Sequence, residues 1–322
     1  MHTRSAFLTW LAPQLAAGPS EVRRASGGFG PDLVMGFASG YGPEHMGVFV
    51  RSLRAHFDGR IALYVDPGRE DVDSFLDAHG VDRLAAPPRR GWTPHPAVSR
   101  FGTYLGGLKA YPDARNVLLT DVRDVVFQGP PLAAPVAPLE LYPEHGEDNL
   151  AEDFKNLRWL RRMFGREVAD QLKADTCLCA GTIIGERGHI DRLCRLILFL
   201  SAIPRSGVAG AFGADQAAYN AAQYFGLLDA VQMANFTRVA TLQRTGSDEL
   251  RWQDGRMVNP DGSVSPIVHK YDRHPHLEGP IREMWARDLP EPPPTRRPFR
   301  LDLGRFAEHL SGSLAKRIPE LR

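Results

Sequence analysis

Only three cysteines occur in 322 residues: Cys177, Cys179 and Cys194. They are too few and too closely grouped for a disulfide framework. Reduced, buried thiols in a cytoplasmic protein are the simplest expectation. No second cysteine–histidine set stands at a suitable spacing, so zinc is not expected. Neither sign of charge is in excess, with 39 Lys and Arg against 38 Asp and Glu. That balance disfavours a protein built to bind nucleic acid non-specifically. No apolar run nears the roughly 20 residues of a membrane span, which leaves peripheral membrane contact as the mode to consider. The chain has no Gly-x-Gly-x-x-Gly and no Walker lysine motif, and so reads as neither a dinucleotide nor a P-loop enzyme. No internal repeat is present.

What is present suits one large α/β domain with a full core. The start, Ala6-Phe7-Leu8-Thr9-Trp10-Leu11-Ala12, reads as a short amphipathic helix within a 1–31 extension. As a signal peptide it is short, is interrupted by Pro13, and lacks a convincing cleavage site before Glu21. A first strand is expected at Leu33–Phe37, then a loop from Ala38 to Pro43. A helix with Phe49, Leu53 and Phe57 on one stripe follows. The next strand, Ile61–Val65, is closed by Asp66-Pro67-Gly68. This strand–helix–strand unit implies parallel pairing and a right-handed crossover. A helix over 190–203 carries a core stripe of Leu193, Leu196, Ile197 and Leu200. After a main domain of 32–289, residues 290–298 read as a Pro-rich linker. The last segment, with Leu301, Leu303, Phe306, Leu310, Leu314 and Ile318, fits an amphipathic helix. Its charges are mixed rather than basic, which makes a membrane surface the weaker docking partner.

The most informative stretch is Val117-Leu118-Leu119-Thr120-Asp121-Val122-Arg123-Asp124-Val125-Val126-Phe127. Its first part is a continuous apolar run, as in a strand covered on both faces. It ends in two acids, where α/β proteins place their ligands. Successive strand residues point to opposite faces. Asp121 and Asp124 can therefore converge only if the strand ends and the chain turns between them. Two such carboxylates suit Mg²⁺ or Mn²⁺, which take oxygen ligands and often need only one or two acids plus substrate phosphates.

The stretch resembles the nucleotide-diphospho-sugar transferases of glycosyltransferase-A fold, whose signature is an apolar strand, Asp-x-Asp and a second apolar run. Here the acids are one residue further apart. Three later segments carry the same resemblance in the family's order. They are Gly213-Ala214-Asp215-Gln216-Ala217-Ala218-Tyr219-Asn220, Ile267-Val268-His269-Lys270-Tyr271-Asp272-Arg273, and Cys179-Ala180-Gly181-Thr182-Ile183-Ile184-Gly185. The resemblance covers about residues 32 to 275. It implies a Rossmann-type, mostly parallel sheet flanked by helices. It also implies a metal held by Asp124, His269 and Asp121, with Asp121 acting directly, through water or on the donor. Mn²⁺ suits the imidazole better than Mg²⁺.

Asp215 and Gln216 would line the donor sugar and acceptor, and Lys270 or Arg273 would hold the diphosphate. At the expected nucleotide end, Phe37 closing the first strand or Tyr41 on the loop after it would stack on the donor base, with Ser39 on the same loop. Arg100, on the helix before the acidic strand, would contact the nucleotide's phosphate, and Arg123 lies between the acids. The expected activity is transfer of a sugar from a UDP- or GDP-sugar to a glycan or other hydroxyl acceptor. Leu141-Tyr142-Pro143-Glu144-His145 and Asn156-Leu157-Arg158-Trp159 are the expected acceptor region. For the proton of the acceptor hydroxyl, Asp215 and Glu144 are the available bases if the reaction inverts. If it retains, toward which the resemblance leans, the leaving phosphate itself serves as base with Asp215 and Gln216 lining the sugar. A nucleotidyltransferase making activated sugars is the first alternative. Its Gly-rich loop would have to be Gly36-Phe37-Ala38-Ser39-Gly40, a poor match. A non-catalytic nucleotide-sugar-binding module is the second.

Overall fold

The computed structural model describes residues 3–88, 91–133, 135–145, 149–203, 210–243 and 245–293. The chain forms two compact units, Met1–Pro290 and Glu291–Arg322. Of the second, only 291–293 are described. The rest of the Pro-rich linker and the amphipathic segment expected around Leu301 to Ile318 lie outside the described residues.

The first unit is built on an eight-stranded sheet. Its strands are β1 (Val22–Arg23), β2 (Gly30–Phe37), β3 (Gly59–Val65), β4 (Asp82–Ala85), β5 (Asn116–Thr120), β7 (Leu139–Pro143), β8 (Leu178–Glu186) and β9 (Val231–Gln232). The strand between β5 and β7, β6 (Val125–Phe127), belongs to another sheet. The order across the large sheet is β1-β4-β3-β2-β5-β8-β7-β9. The block β4-β3-β2-β5 is wholly parallel. On its flanks β1, β8 and β7 pair antiparallel, and β9 returns to parallel. The sheet is thus parallel where the sequence shows strand–helix–strand units and antiparallel beyond them.

Each inner strand is apolar on both faces because helices cover both. On β2, Leu33 and Met35 enter one core cluster and Val34 the other. Ala62 and Tyr64 on β3 divide from Ile61, Leu63 and Val65 in the same alternating way. One face carries α2 (Pro43–His56) and α3 (Glu70–Ala78). The other carries α1 (Thr3–Ala16), α4 (Pro96–Ala110), α5 (Phe154–Phe164), α6 (Arg166–Leu172), α7 (Arg187–Ser201) and α8 (Ala214–Tyr224). α1 buries Phe7 and Leu11 in this same core and packs on α4, so it is integral to the unit. Phe57 does not extend the stripe of α2; it follows the helix in an extended conformation.

A three-stranded sheet of β10 (Val239–Thr241), β13 (Ile267–His269) and β6 lies alongside. A hairpin of β11 (Arg251–Gln253) and β12 (Arg256–Val258) and helix α9 (Pro275–Ala286) complete the described unit. The chain leaves the large sheet at Thr120 and enters the small one at Val125. The turn between the two acids is therefore the crossing from one sheet to the other.

Candidate metal centre and active site

The parallel block fixes where a ligand would sit. From β2 the chain winds outward through β3 and β4 on one side, then returns to place β5 on the other. The carboxyl ends of β2 and β5 flank that reversal, the crevice where open α/β sheets bind ligands. Asp121 is the first residue past β5. Its backbone N–H donates to Gly181 O at 2.8 Å, which pins it against β8. Asp124 comes just before β6. Its carbonyl accepts from Lys270 N at 2.7 Å, and in the β6–β13 register His269 lies opposite Val125. Two sheets thus bring together residues about 150 positions apart.

Asp121, Asp124 and His269 each present a ligand atom within 4.8 Å of the others. His269 Nε2 lies 3.6 Å from Asp121 Oδ2 and 3.8 Å from Asp124 Oδ1. These distances are too long for hydrogen bonds, and Nε2 is buried with no partner. An orphaned nitrogen facing two carboxylate oxygens is a donor set that fits a divalent cation. The other ring nitrogen, Nδ1, faces Cys179 Sγ at 3.8 Å, which orients the ring.

The surrounding charges are arranged in pairs. Arg100 Nη1 donates to Asp121 Oδ1. Arg100 Nη2 donates to Ala180 O at 3.1 Å and lies 3.6 Å from Asp215 Oδ2. Lys270 donates to Glu144 Oε1, and Gln216 Nε2 donates to the other oxygen at 3.3 Å. Burial opposes ionisation of Asp121, but Arg100 and His269 hold its pKa below the usual carboxylate value. Burial pushes Asp124 up, and Asp121 and Asp272 add to that rise. Burial likewise raises Asp215 despite Arg100. Although burial opposes a charged imidazole, Cys179 and Asp121 push His269 up to about 10. Among the described residues, Asp121 and Asp215 pair with Arg100 and Glu144 with Lys270, while Asp124 pairs with His269 alone, so with His269 neutral a divalent ion would supply the missing charge.

Gly181 forms the floor. A Cβ there would strike the His269 ring and come within 2.9 Å of Asp121 Oδ2. Asp215 stands in the first turn of α8, where the helix dipole favours a carboxylate. Further along α8, Asn220 is fully buried, and its side-chain amide bonds both Leu178 N and Leu178 O. That clamp fixes α8, and so Asp215, against β8. Lys270 adopts a left-handed conformation, φ 66° and ψ 33°. Such backbone is rare for residues with a Cβ and tends to persist at functional sites.

Compared with known proteins, the chain matches no family model and no curated sequence.

The structure redirects several sequence expectations. Arg100 is an internal counter-ion for Asp121 and Asp215 rather than an open phosphate contact. Lys270 is buried and committed to Glu144 rather than free to hold a diphosphate. Phe37 packs against the core beside Tyr64 at 6.4 Å between ring centres, so it is not an open base-stacking ring. Ser39 donates to Asp66 at 2.6 Å. Leu141 and Tyr142 lie in the fully buried β7 and do not form an acceptor surface. Trp159 is half-buried against Gly213 and edge-on to the exposed Phe212. Tyr41 remains at the mouth of the site, stacked on His45 and within reach of the charges of Arg123 and both acids. Arg123 and Arg273 share Asp272 and keep side-chain exposures of 38 % and 44 %. Among the described residues, they are cations still open to solvent beside the site.

Sequence reasoning overlooked Asp66, whose oxygens hold Ser39 Oγ and Gly40 N and so shape the loop after β2. Its signal was present, an acid at the carboxyl edge of the Ile61–Val65 strand. The spacing of cysteines and histidines in sequence argued against zinc. The fold nevertheless gathers His145, Asp153 and Cys177 into a second set of convergent ligand atoms. Their spacing in sequence, 145, 153 and 177, follows no recognisable motif.

Proposed function

We propose that this protein is a metal-dependent glycosyltransferase acting on a nucleoside-diphosphate sugar. The observation that carries the reading is the convergence of Asp121, Asp124 and the unpartnered His269 Nε2 at the switch point of the sheet. Asp121, Asp124 and His269 would hold the ion, with Mn²⁺ the best match for two oxygens and one imidazole. When bound, the ion supplies a charge that stabilises the departing diphosphate.

The remaining roles fall to side chains already described. Arg123 and Arg273, partly exposed beside the acids, would bind the outer phosphate oxygens. Tyr41 and the loop held by Asp66 would take the nucleoside end. Arg100 positions Asp121 and keeps it ionised. Of the two candidate bases, Glu144 is occupied on both oxygens by Lys270 and Gln216. Asp215, with a pKa raised by burial, is the better acceptor for the proton of the attacking hydroxyl. Gln216, beside it on the first turn of α8, ties that helix to Glu144.

Thermal stability measured with UDP, GDP, CMP and their sugars, with and without Mn²⁺, tests the proposal. A ligand that binds only the folded state raises its apparent stability by mass action. Stabilisation by one nucleoside diphosphate that needs Mn²⁺ and disappears in Asp124→Ala is expected. Turnover of a nucleoside triphosphate with pyrophosphate release would favour a nucleotidyltransferase instead. Tight donor binding with no transfer to any hydroxyl acceptor would favour a binding module.

A further inference from the structure

We propose a second metal site, for zinc, formed by His145, Asp153 and Cys177 next to Glu144 and distinct from the Asp121–Asp124–His269 centre. It does not depend on the reading of the first site.

The three residues come from separate segments. His145 follows β7, Asp153 caps α5, and Cys177 precedes β8. All are buried, with exposures of 2 %, 4 % and 0 %. Their ligand atoms lie within 4.8 Å of one another. A tetrahedral zinc with bonds of about 2.0–2.3 Å sets its ligands roughly 3.3–3.6 Å apart, so closing these separations by up to about 1.5 Å would bring all three onto one ion with a fourth position left open. The segments are already tied, since Glu144 N donates to Cys177 O at 2.6 Å.

One further observation points to a ligand, the orphaned amide oxygen of Asn156. His145 Nε2 bonds Asp153 Oδ2 at 2.7 Å, yet its Nδ1 is buried and unpartnered. Asn156, one turn along α5, is 4 % exposed and leaves its Oδ1 without a partner. The Asn156 amide hydrogen-bonds the same Asp153 carboxylate, so an orphaned oxygen stands beside the cluster. Burying an unpaired polar atom costs free energy; a cation taken by Asn156 Oδ1 would relieve that one, whereas His145 Nδ1, diverging from Nε2 across the ring, would stay an N–H.

The chemistry selects the metal. Thiolate, imidazole and carboxylate suit zinc, whereas the first centre offers two carboxylates and an imidazole. Binding converts the Cys177 thiol to a thiolate and releases its proton to solvent. It also displaces the proton shared by His145 and Asp153. No electron transfer is involved. The bound ion would staple the ends of β7, α5 and β8 together.

The test uses the full chain, stripped with a chelator and reloaded with Zn²⁺ or with Co²⁺ as a spectroscopic probe. Wild-type protein should retain about one equivalent of zinc in the presence of excess Mn²⁺ and gain thermal stability from it. Its cobalt form should show a thiolate-to-metal charge-transfer band. That band should vanish in Cys177→Ser and persist in Cys179→Ser, which separates this group from the thiol beside His269. If Cys177→Ser fails to fold, His145→Gln gives a second reading through loss of the zinc equivalent. A wild-type cobalt form with no thiolate band overturns the proposal. So does a band lost in Cys179→Ser but kept in Cys177→Ser.

Discussion

Replacing Gly181 by alanine would test whether the centre depends on the missing side chain beneath it. Strand β8 is paired with β5 and β7 at residues flanking Gly181, and Gly181 O accepts from Asp121 N, so its backbone is held in place. The new methyl would collide with the His269 ring and crowd Asp121 Oδ2. His269 is fully buried, whereas the Asp121 side chain is 34 % exposed. Asp121 should therefore move, pulling against Arg100. Forcing one methyl into a packed site costs about 1–3 kcal/mol, and relief of glycine's conformational entropy offsets less than about 1 kcal/mol of that. The net loss corresponds to a fall in Tm of a few degrees, at roughly 2–4 °C per kcal/mol. Mn²⁺ affinity should fall further, by about 10–100-fold, as for other disturbances of groups that orient metal ligands. Isothermal titration with Mn²⁺ and thermal melts read both effects. Gly188→Ala is the control, because its Cβ would meet nothing within 4 Å and it lies in α7. It should be neutral or slightly stabilising. Wild-type Mn²⁺ affinity in Gly181→Ala would refute the picture of a centre closed from below by β8.

Other substitutions probe the charges. Asp124→Asn should abolish stabilisation by Mn²⁺ while leaving the metal-free protein as stable or more so, because it removes a buried carboxylate whose pKa is already raised; a metal-free melt several degrees lower would contradict this. Lys270→Met should destabilise by about 3–5 kcal/mol by stranding Glu144, and adding Glu144→Leu should recover most of that loss in denaturant melts. The metal-free protein should also respond to pH through His269. Its folded pKa of about 10 lies above the unfolded 6.5, so its contribution is fully present below about pH 6.5 and is lost as pH rises through 10. Melts across that range should slope downward in wild type and flatten in His269→Gln.

Much of the fold was legible because it rests on local periodicity. The apolar run from Val117 marked a buried strand that ends at Thr120, and Ile267-Val268-His269 forms β13 as read. Strand β2 begins at Gly30 rather than Leu33, because the β2–β3 register shifts between Gly30 and Leu33 and extends pairing across Pro31. α4 begins at Pro96, four residues before Arg100, with His95 accepting from Ala97 N and proline suited to the first turn. Neither irregularity changes the hydrophobic pattern, so the pattern did not announce it. The roles of single polar residues were least legible. Arg100 and Lys270 carry the same charge in sequence as Arg123 and Arg273, yet the first pair is buried against Asp121 and Glu144 while the second stays partly in solvent.

The sequence alone determined that this chain would build a helix-covered sheet with acids at the edge of an inner strand, since strand runs, turn residues and the Asp-x-x-Asp spacing act over a few residues each. Only the tertiary structure decided which acid meets which base. His269 reaches Asp124 through β-sheet register, Asp215 reaches Arg100 because Asn220 clamps α8 to β8, and His145, Asp153 and Cys177 meet where three segments close on one another. Those contacts join residues far apart in the chain, and burial there turns ordinary charges into paired ones because an unpaired charge in a low-dielectric interior is too costly to keep.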